Sequence, residues 1–330
     1  MSMNVLFIGG TGQISLPCVQ KAAAAGHTVT VFNRGQHTGE GLPDGVATIT
    51  GDMGDAASYG ELGRRGFDVV CQFMVFTPEQ MAQDIATFAG RTGQYIFISS
   101  ASVYEKPARH YIITEKTPTV NPFWDYSQGK IACEALVKAQ KGLPWTIVRP
   151  SHTVRTGLPT MMNEGDVIGR RMLAGKSVLV CGDGTTPWTL TRSVDFAAPF
   201  IGLFGKQAAL CQDFHITSDR AYGWNSIYRT IAAGLGVEAD IVHVPTDVLV
   251  RYHPAWEGPL LGDKTWAALF DNAKVKGVAG DFSCSEDLAQ VLAEPIMQFR
   301  ARLAEGGPRA SELEPLMERI AREQGALGRG

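Results

Sequence analysis

The amino-acid sequence predicts an α/β fold: a doubly wound parallel sheet with a smaller lobe in the C-terminal half. Apolar segments typical of strands alternate with helical segments through the first 150 residues. A glycine-rich turn links the first apolar segment to the first helical one at residues 9–15. Residues 95–98 are apolar without interruption, as expected of a strand that is buried on both faces of a sheet.

The elements follow one another in a regular order. In the first half we predict strands at 4–8, 28–33, 46–50, 68–74, 94–98 and 144–149, and helices at 13–25, about 55–64, 79–91 and 126–141. After Pro150 the loops lengthen, with helices predicted at 164–174, 193–204 and 224–235 and strands at 177–181, 211–216 and 240–244. Two further helical segments follow residue 285. We therefore divide the chain into a main domain at 1–150 and a lobe with C-terminal helices at 151–330, some of whose segments return to the main sheet.

Composition limits the classes of function. The chain has 330 residues, 45% hydrophobic and 19% charged, with a net charge of -3 and no densely basic stretch, so nucleic-acid binding is not favoured. Its six cysteines form no Cys-x-x-Cys pair, so we predict no metal site and a reducing cytoplasm. The first strand begins near Asn4, which leaves no room for a signal peptide. No apolar run reaches the roughly 20 residues of a membrane-spanning helix.

The glycine turn indicates a dinucleotide site. Residues 5–15 are Val-Leu-Phe-Ile-Gly-Gly-Thr-Gly-Gln-Ile-Ser, a strand that enters a Gly-x-x-Gly-x-x-Ser turn. Gly9 permits the tight turn, and Gly12 leaves room for the pyrophosphate beside the helix N-terminus. Gln13 and Ile14, which follow directly, are predicted to contact the cofactor as well. Together with the strand order, this turn predicts a Rossmann-type NAD(P)-binding domain.

The end of the second strand bears on the choice of cofactor. An acidic residue there would favour NAD, but this chain has Asn33 followed by Arg34. A cation at this place can accept a 2′-phosphate, so NADP is modestly favoured over NAD; the alternative is that Arg34 is a solvated surface residue. Asp52, after the third strand, is predicted to bond the adenine amino group or to cap a helix.

A tyrosine and a lysine are candidates for the chemistry. Tyr126 and Lys130 are four residues apart, so a helix places them on one face. A nearby ammonium favours the phenolate of a tyrosine, whose usual pKa is about 10. Lys130 would also hold the nicotinamide ribose. A serine at the end of a neighbouring strand would fix the substrate oxygen, and the residues alone leave Ser99, Ser100 and Ser102 open.

Together these motifs resemble the extended short-chain dehydrogenases/reductases of the NAD-dependent epimerase/dehydratase type. Residues 98–104, Ile-Ser-Ser-Ala-Ser-Val-Tyr, resemble the serine segment of that family, which implies Ser100 as its catalytic serine. Tyr126 and Lys130 match the catalytic pair. Residues 173–184 and the Asp195-Phe-Ala segment are similar to the substrate lobe of sugar-nucleotide epimerases. The resemblance also implies a homodimer that pairs through the helices at 79–91 and 126–141.

Two departures from the family bear on the substrate. Ala101-Ser102 replaces the acidic pair of the dehydratases, so sugar dehydration is not expected. Trp188 stands where related epimerases have an arginine that clamps the nucleotide pyrophosphate, and Arg192 is displaced by three or four residues. We therefore predict a substrate smaller and less charged than a nucleotide sugar, such as a free sugar, glycoside or polyol.

Several further residues are predicted to line the substrate site. Trp188 offers either a stacking surface for a sugar or a packing residue between the lobes. Trp124 precedes Tyr126 and is expected in the same cleft. His152 lies where the chain leaves the main sheet, with a substrate contact and a structural role both open.

The sequence thus predicts an NAD(P)-dependent oxidoreductase or epimerase that acts on a sugar, sugar derivative or polyol. One alternative is a nucleotide-sugar epimerase whose phosphate clamp has moved to Arg192. Another is a non-enzymatic dinucleotide sensor, or a relative of a chloroplast RNA-binding group that this chain resembles in its Asn33-Arg34-Gly35 segment. The presence of Ser100, Tyr126 and Lys130 together argues against the non-enzymatic alternative.

Overall fold

The computed structural model, which describes residues 2–35, 41–306 and 311–327, has a seven-stranded parallel sheet at its centre. The strands of this sheet are β1 (Asn4–Ile8), β2 (Thr28–Asn33), β3 (Ala47–Thr50), β4 (Val69–Gln72), β5 (Gln94–Ile98), β7 (Trp145–Pro150) and β12 (Gln212–Ile216). Their order in space is β12-β7-β5-β4-β1-β2-β3. The predicted α/β class and parallel sheet are confirmed.

The sheet is covered on both faces because its strands alternate. Val5 and Phe7 of β1 face a cluster built with α1 (Ser15–Ala24), α6 (Ser193–Gly202) and α10 (Ala273–Ala279). Leu6 and Ile8 face the opposite cluster, which includes side chains of α2 (Ala56–Gly60), α3 (Pro78–Phe88) and α4 (Asp125–Lys138). The helix predicted over about 55–64 ends at Gly60, a poor helix former, and continues as a 3-10 turn.

The chain leaves the main sheet after β7 and later returns to it to add the edge strand β12. Strand β12 pairs in parallel with β7, from Gln212 opposite Thr146 to Ile216 opposite Pro150. Helix α6 packs on α1, and its Phe196 and Phe200 belong to the core beneath the sheet. The main sheet is therefore completed by residues from beyond position 150, as the sequence led us to expect for some segments.

The smaller lobe has a core of its own, which includes Trp224, Tyr228, Leu292 and Phe299. Its remaining strands, with one short strand of the main domain, form two-stranded sheets: β6 (Ile112–Ile113), β8 (His152–Val154), β9 (Val178–Cys181), β10 (Pro187–Trp188), β11 (Leu190–Arg192), β13 (Tyr222–Gly223), β14 (Ile241–Val244) and β15 (Leu269–Phe270). Its helices are α5 (Val167–Leu173), α7 (Trp224–Leu235), α8 (Thr246–Tyr252), the single turn α9 (Glu257–Pro259), α11 (Leu288–Ala304) and α12 (Glu314–Leu327). Among the described helices, none has the length and apolar character required to span a membrane.

Candidate active site and cofactor cleft

The glycine turn after β1 is closed by the serine that departs from the glycine pattern. Gly9 has φ +80, and its N–H donates to the Phe32 carbonyl at 2.9 Å. A Cβ on Gly9 would overlap the side chain of Met74, so only glycine fits here. The Ser15 hydroxyl donates to the Gly9 carbonyl at 2.6 Å and accepts from the Gly12 N–H at 2.8 Å. Ser15 therefore fixes the shape of the turn from the first residue of α1.

The side chains of Gln13 and Ile14, which were predicted to contact the cofactor, are bound to other parts of the protein. The Gln13 amide donates to the Thr153 carbonyl at 2.7 Å and accepts from the Thr156 hydroxyl at 3.0 Å. Arg155 donates to the Gln13 carbonyl at 3.0 Å, and Ile14 packs on the core beneath the sheet. Neither residue lines the adjoining cavity, so the structure does not place the predicted cofactor contacts of Gln13 and Ile14 there. Gln13 instead joins the glycine turn to the loop after β8.

A cavity of about 410 Å³ opens over this turn, at the carboxyl ends of the sheet strands. Asn33, Arg34 and Asp52 line it, as the sequence predicted for a cofactor cleft. The Asn33 side chain accepts from the Gly35 N–H at 2.9 Å, and Asp52 accepts from the Gly54 N–H at 2.8 Å. Arg34 is exposed at the rim. Glycines at the turn and polar groups at the far strand ends fit an extended dinucleotide.

Helix α4 carries Tyr126 and Lys130 on one face and lies unusually close to the end of β4. A Cβ on Gly129 would be 2.6 Å from the Phe76 carbonyl oxygen, so glycine permits this approach. The Lys130 ammonium donates to the carbonyls of Val75 at 2.6 Å and Ile98 at 2.9 Å. It also lies 4.4 Å from the centroid of the Phe76 ring. Lys130 is thus held at the ends of two adjacent strands.

Burial dominates the ionisation of both groups. It lowers the pKa of Lys130 to about 7. Burial also raises the pKa of Tyr126, the Ser100 hydrogen bond lowers it, and the Asp263 carboxylate raises it. The expected dominant lowering by Lys130 is therefore absent from this structure, because the ammonium is turned towards two carbonyls, 5.9 Å from the Tyr126 ring centroid. Tyr126 is consequently a protonated phenol at neutral pH.

The three candidate serines have different surroundings. Ser99 is buried, and its hydroxyl has no hydrogen-bond partner among the described residues. Ser100 and Ser102 both line a second cavity, which also contains Tyr126 and which we call the catalytic cavity. Their hydroxyl oxygens are 2.9 Å apart. The Ser102 hydroxyl is also bonded by Ser127 of α4 at 2.8 Å. Ser100 lines the cavity with Tyr126, and it is the candidate serine whose side chain lowers the pKa of that phenol.

A buried ion pair ties α4 to the sheet. Arg149 of β7 donates to Glu134 twice, from Nε to Oε1 at 2.8 Å and from a terminal nitrogen to Oε2 at 2.6 Å. The same guanidinium bonds Asp213 of β12 at 2.8 Å and the Tyr104 hydroxyl at 3.2 Å. Glu134 lies one turn after Lys130, so this network fixes the axial position of the helix that carries Tyr126 and Lys130.

The catalytic cavity has a volume of about 450 Å³. Of the predicted substrate residues, Ser100, Trp124, His152 and Trp188 line it together with Tyr126. The rings of Trp124 and Tyr126 are 5.0 Å apart, and the Phe76 ring, which lines the cofactor cleft, is 6.3 Å from Tyr126. The two cavities therefore adjoin at Phe76 and Tyr126.

Trp188 and His152 form one wall of the cavity. The Trp188 indole N–H donates to His152 Nδ1 at 3.1 Å, which assigns the ring proton to Nε2. Burial, followed by the Lys264 charge, lowers the pKa of His152 to about 3, so the imidazole is neutral. Trp188 is only 4% exposed and packs 5.6 Å from Trp224. It therefore both packs within the lobe and presents an edge to the cavity.

Arg192 is the predicted substrate residue that does not line this cavity. It is the last residue of β11, which pairs with β8, and the chain turns there into α6. Its guanidinium lies 3.9 Å from Asp195 on the first turn of that helix. Arg192, which is displaced from the expected clamp position, therefore lies outside the cavity and pairs with Asp195 of α6.

Three charged residues of the cavity wall were not identified from the sequence: Lys106, Asp263 and Lys264. Lys106 lies in the loop after β5, whereas Asp263 and Lys264 end a π-helical segment at Leu260–Lys264, more than 150 positions later and before β15. Trp124 packs closely on this second segment, because Cβ atoms on Gly258 and Gly262 would collide with its side chain. The glycines around Trp256 were the only sequence signal of this contact, and they do not identify its partner.

Comparisons with known proteins agree with this architecture. Residues 9–172 match a family described as NAD(P)H-binding. The chain is 27% identical over 255 residues to a chloroplast stem-loop binding protein of 41 kDa from Arabidopsis thaliana; the match covers 73% of this chain and 65% of that protein, less than two thirds of its length. It is 23% identical to 2'-dehydrokanamycin reductase of Streptomyces kanamyceticus, over 99% of this chain and 93% of the other. UDP-glucose 4-epimerase of Thermotoga maritima, solved with UDP-glucose, superposes with a TM-score of 0.70 at 18% identity, over 91% of this chain and all (100%) of the other.

Proposed function

We propose that the chain is an NAD(P)-dependent oxidoreductase or epimerase acting on a sugar, sugar derivative or polyol, because residues 9–172 match a family described as NAD(P)H-binding and the fold is that of solved epimerases. One observation carries the proposal. Tyr126 and Ser100 line a cavity with aromatic walls that adjoins the glycine-lined cleft at Phe76, and the Lys130 ammonium lies 5.9 Å from the centroid of the Tyr126 ring.

The residues have distinct roles in the proposed reaction. In the oxidative direction the Tyr126 phenolate accepts the proton of the substrate hydroxyl, and in the reductive direction the phenol returns it to the carbonyl oxygen. The Ser100 hydroxyl donates a hydrogen bond to that same oxygen. The nicotinamide cofactor, when bound, accepts or returns the hydride. The raised pKa of Tyr126 supports the reductive direction, because it keeps the phenol ready to donate at neutral pH.

Lys130 is proposed to hold the ribose of the cofactor. An ammonium has three N–H donors, and two of them are used by the Val75 and Ile98 carbonyls. These two bonds fix the nitrogen 4.4 Å from the ring centroid of Phe76, which lines the cleft, and leave the third donor for a ribose hydroxyl. Asn33 and Asp52 are proposed to contact the adenosine end. Arg34 at the rim is proposed to favour NADP through its 2′-phosphate.

The residues of the cavity wall favour a compact carbohydrate over a nucleotide sugar as the substrate. Trp124 and Trp188 supply apolar surface of the kind that covers a sugar face. No arginine stands among the described residues that line the cavity, so the forked donors that grip a pyrophosphate are missing there. The relocated clamp of the alternative hypothesis would need Arg192, which faces Asp195 instead.

The RNA-binding alternative is favoured by one specific observation, the likeness to the chloroplast stem-loop binding protein. The net charge of -3 and the joint placement of Ser100, Tyr126 and Lys130 oppose it. The purified protein, mixed with NAD or NADP and a panel of sugars and polyols, distinguishes the two. Reduction of the nicotinamide, or an epimerised sugar detected by NMR, supports the enzyme. Tight binding of a stem-loop RNA without any turnover would support the alternative.

A further inference from the structure

The charged residues of the catalytic cavity do not balance. Lys106, Lys264 and Asp263 line it, two cations against one anion. Glu164 is buried outside the lining, where its Oε2 accepts from the Met162 N–H at 2.6 Å; burial raises the pKa of this carboxyl, and the Lys264 charge partly lowers it. The surface that meets a substrate therefore carries one more positive than negative group.

Lys264 has its counter-charge within the wall. Its ammonium lies 3.4 Å from the Asp263 carboxylate, and the side chain is only 4% exposed. The Trp124 and Trp188 rings lie 5.6 Å and 5.9 Å from the same nitrogen. The carboxylate and two aromatic faces thus surround this cation.

Lys106 is the cation left over. It is 6% exposed and lines the cavity, and its ammonium makes no hydrogen bond to any part of the chain that the structure describes. The neighbouring Glu105 is engaged by Arg109 at 3.2 Å. Burial lowers the pKa of Lys106, and the Asp263 charge raises it. This ammonium faces the cavity without a hydrogen-bonded partner, so a ligand that supplies an anion there gains a charge-assisted hydrogen bond in a largely enclosed site.

We propose that the substrate carries a carboxylate, as a sugar acid does, and that Lys106 binds it while the reacting hydroxyl or carbonyl lies at Tyr126. This inference rests on the proposed function and names the substrate class for the same site. A single ammonium suits a monoanion, whereas phosphate groups are bound by several donors or by an arginine fork. Lys106, Asp263 and Tyr126 line the same cavity of about 450 Å³, so one small sugar can contact the ammonium and the phenol together. A polycationic amino sugar would meet two lysines and is disfavoured.

Calorimetry on the NADP-loaded enzyme tests the inference without requiring turnover. The probes are glucuronate and galacturonate, the matching neutral sugars glucose and galactose, glucosamine, and glucose 6-phosphate. We expect the uronates to bind about tenfold or more tightly than the neutral sugars, and glucosamine to bind most weakly. Lys106→Met should weaken uronate binding about ten- to hundredfold and leave neutral sugars within about twofold. Lys106→Arg, which keeps the charge, should retain most of the affinity.

The matched control is Lys116→Met, which removes an exposed lysine nearby and should leave every affinity unchanged. Equal or absent binding of uronates, or the same loss for neutral and acidic sugars in Lys106→Met, would overturn the inference. Lys106-dependent binding of glucose 6-phosphate tighter than that of the uronates would overturn the choice of carboxylate. Failure of the proposed function has a separate signature, the absence of Tyr126-dependent turnover, which these affinities do not measure.

Discussion

Glu134 of α4 and Arg149 of β7 are joined by two hydrogen bonds of 2.8 Å and 2.6 Å in the interior of the protein. The pair connects the helix that carries Tyr126 and Lys130 to the strand that runs towards His152. Glu134 lines neither cavity, so it acts on the site through the position of the helix and through its charge, which raises the pKa of Lys130 against the effect of burial.

Glu134→Ala should destabilise the protein strongly. It leaves the Arg149 guanidinium buried with Asp213 as its remaining carboxylate partner, and breaking a buried pair of this kind costs about 3–5 kcal/mol. Chemical denaturation gives the free energy of unfolding. Glu61→Ala is the control, because its pair with Arg64 is exposed and is expected to contribute less than about 1 kcal/mol. Equal effects of the two substitutions would contradict this account of α4.

Asp263→Asn should shift the pH dependence of oxidation. Burial raises the Tyr126 pKa first and the Asp263 carboxylate raises it further, so removal of that carboxylate lowers it. Oxidation requires the phenolate and therefore increases with pH through this pKa, and its midpoint should move to lower pH in the variant. Asp247→Asn, which alters an exposed carboxylate paired with Arg251, should leave the midpoint in place. A midpoint that moves upwards in Asp263→Asn would refute the electrostatic role of Asp263.

Arg34→Ala should weaken NADP binding about tenfold or more and leave NAD binding nearly unchanged. The reason is that only NADP offers the 2′-phosphate to the guanidinium at the rim of the cleft. Titration of both cofactors into the wild type and the variant measures the difference. Arg251→Ala removes another exposed arginine and serves as the control. A clear NAD preference that Arg34→Ala does not alter would make Arg34 a surface residue only.

The wild-type protein should be a homodimer that pairs through α3 and α4, with a mass near twice 35.6 kDa by light scattering. An arginine introduced at the exposed Ala135 of α4 would place an unpaired charge in that interface and dissociate the dimer. Ala289→Arg on α11 is the matched control, because that alanine is exposed away from both helices. A wild-type mass of 35.6 kDa at micromolar concentration would exclude the dimer.

The sequence predicted the sheet well because buried parallel strands have a local signature. Residues 95–98 are apolar without interruption, and the structure has β5 at the predicted residues, 94–98. Tyr126 and Lys130 were found for the same reason, since their spacing is a property of one helix. Contacts between distant loops have no such local signature. The bonds from Gln13 to Thr153 and Thr156, and the placement of Lys106 and Asp263 in one cavity wall, depend on how the two lobes fold together.

Arg192 is a residue for which the sequence suggested a contact that the structure does not have. Its spacing from Asp195 suggested a displaced clamp, but spacing along the chain does not fix the direction of a side chain where a strand turns into a helix. The structure places the guanidinium beside Asp195 and outside the catalytic cavity. The cavity charges come instead from Lys106, Asp263 and Lys264, whose convergence is visible only in three dimensions.

The central claim is that Tyr126 transfers the proton in a nicotinamide-dependent reaction. Its most direct test is turnover by Tyr126→Phe, measured beside cofactor binding and beside Tyr111→Phe, which alters a tyrosine that is 74% exposed. The account predicts that Tyr126→Phe folds and binds cofactor like the wild type but loses turnover by about 10²- to 10⁴-fold, while Tyr111→Phe stays active. A Tyr126→Phe enzyme with wild-type turnover would contradict the claim.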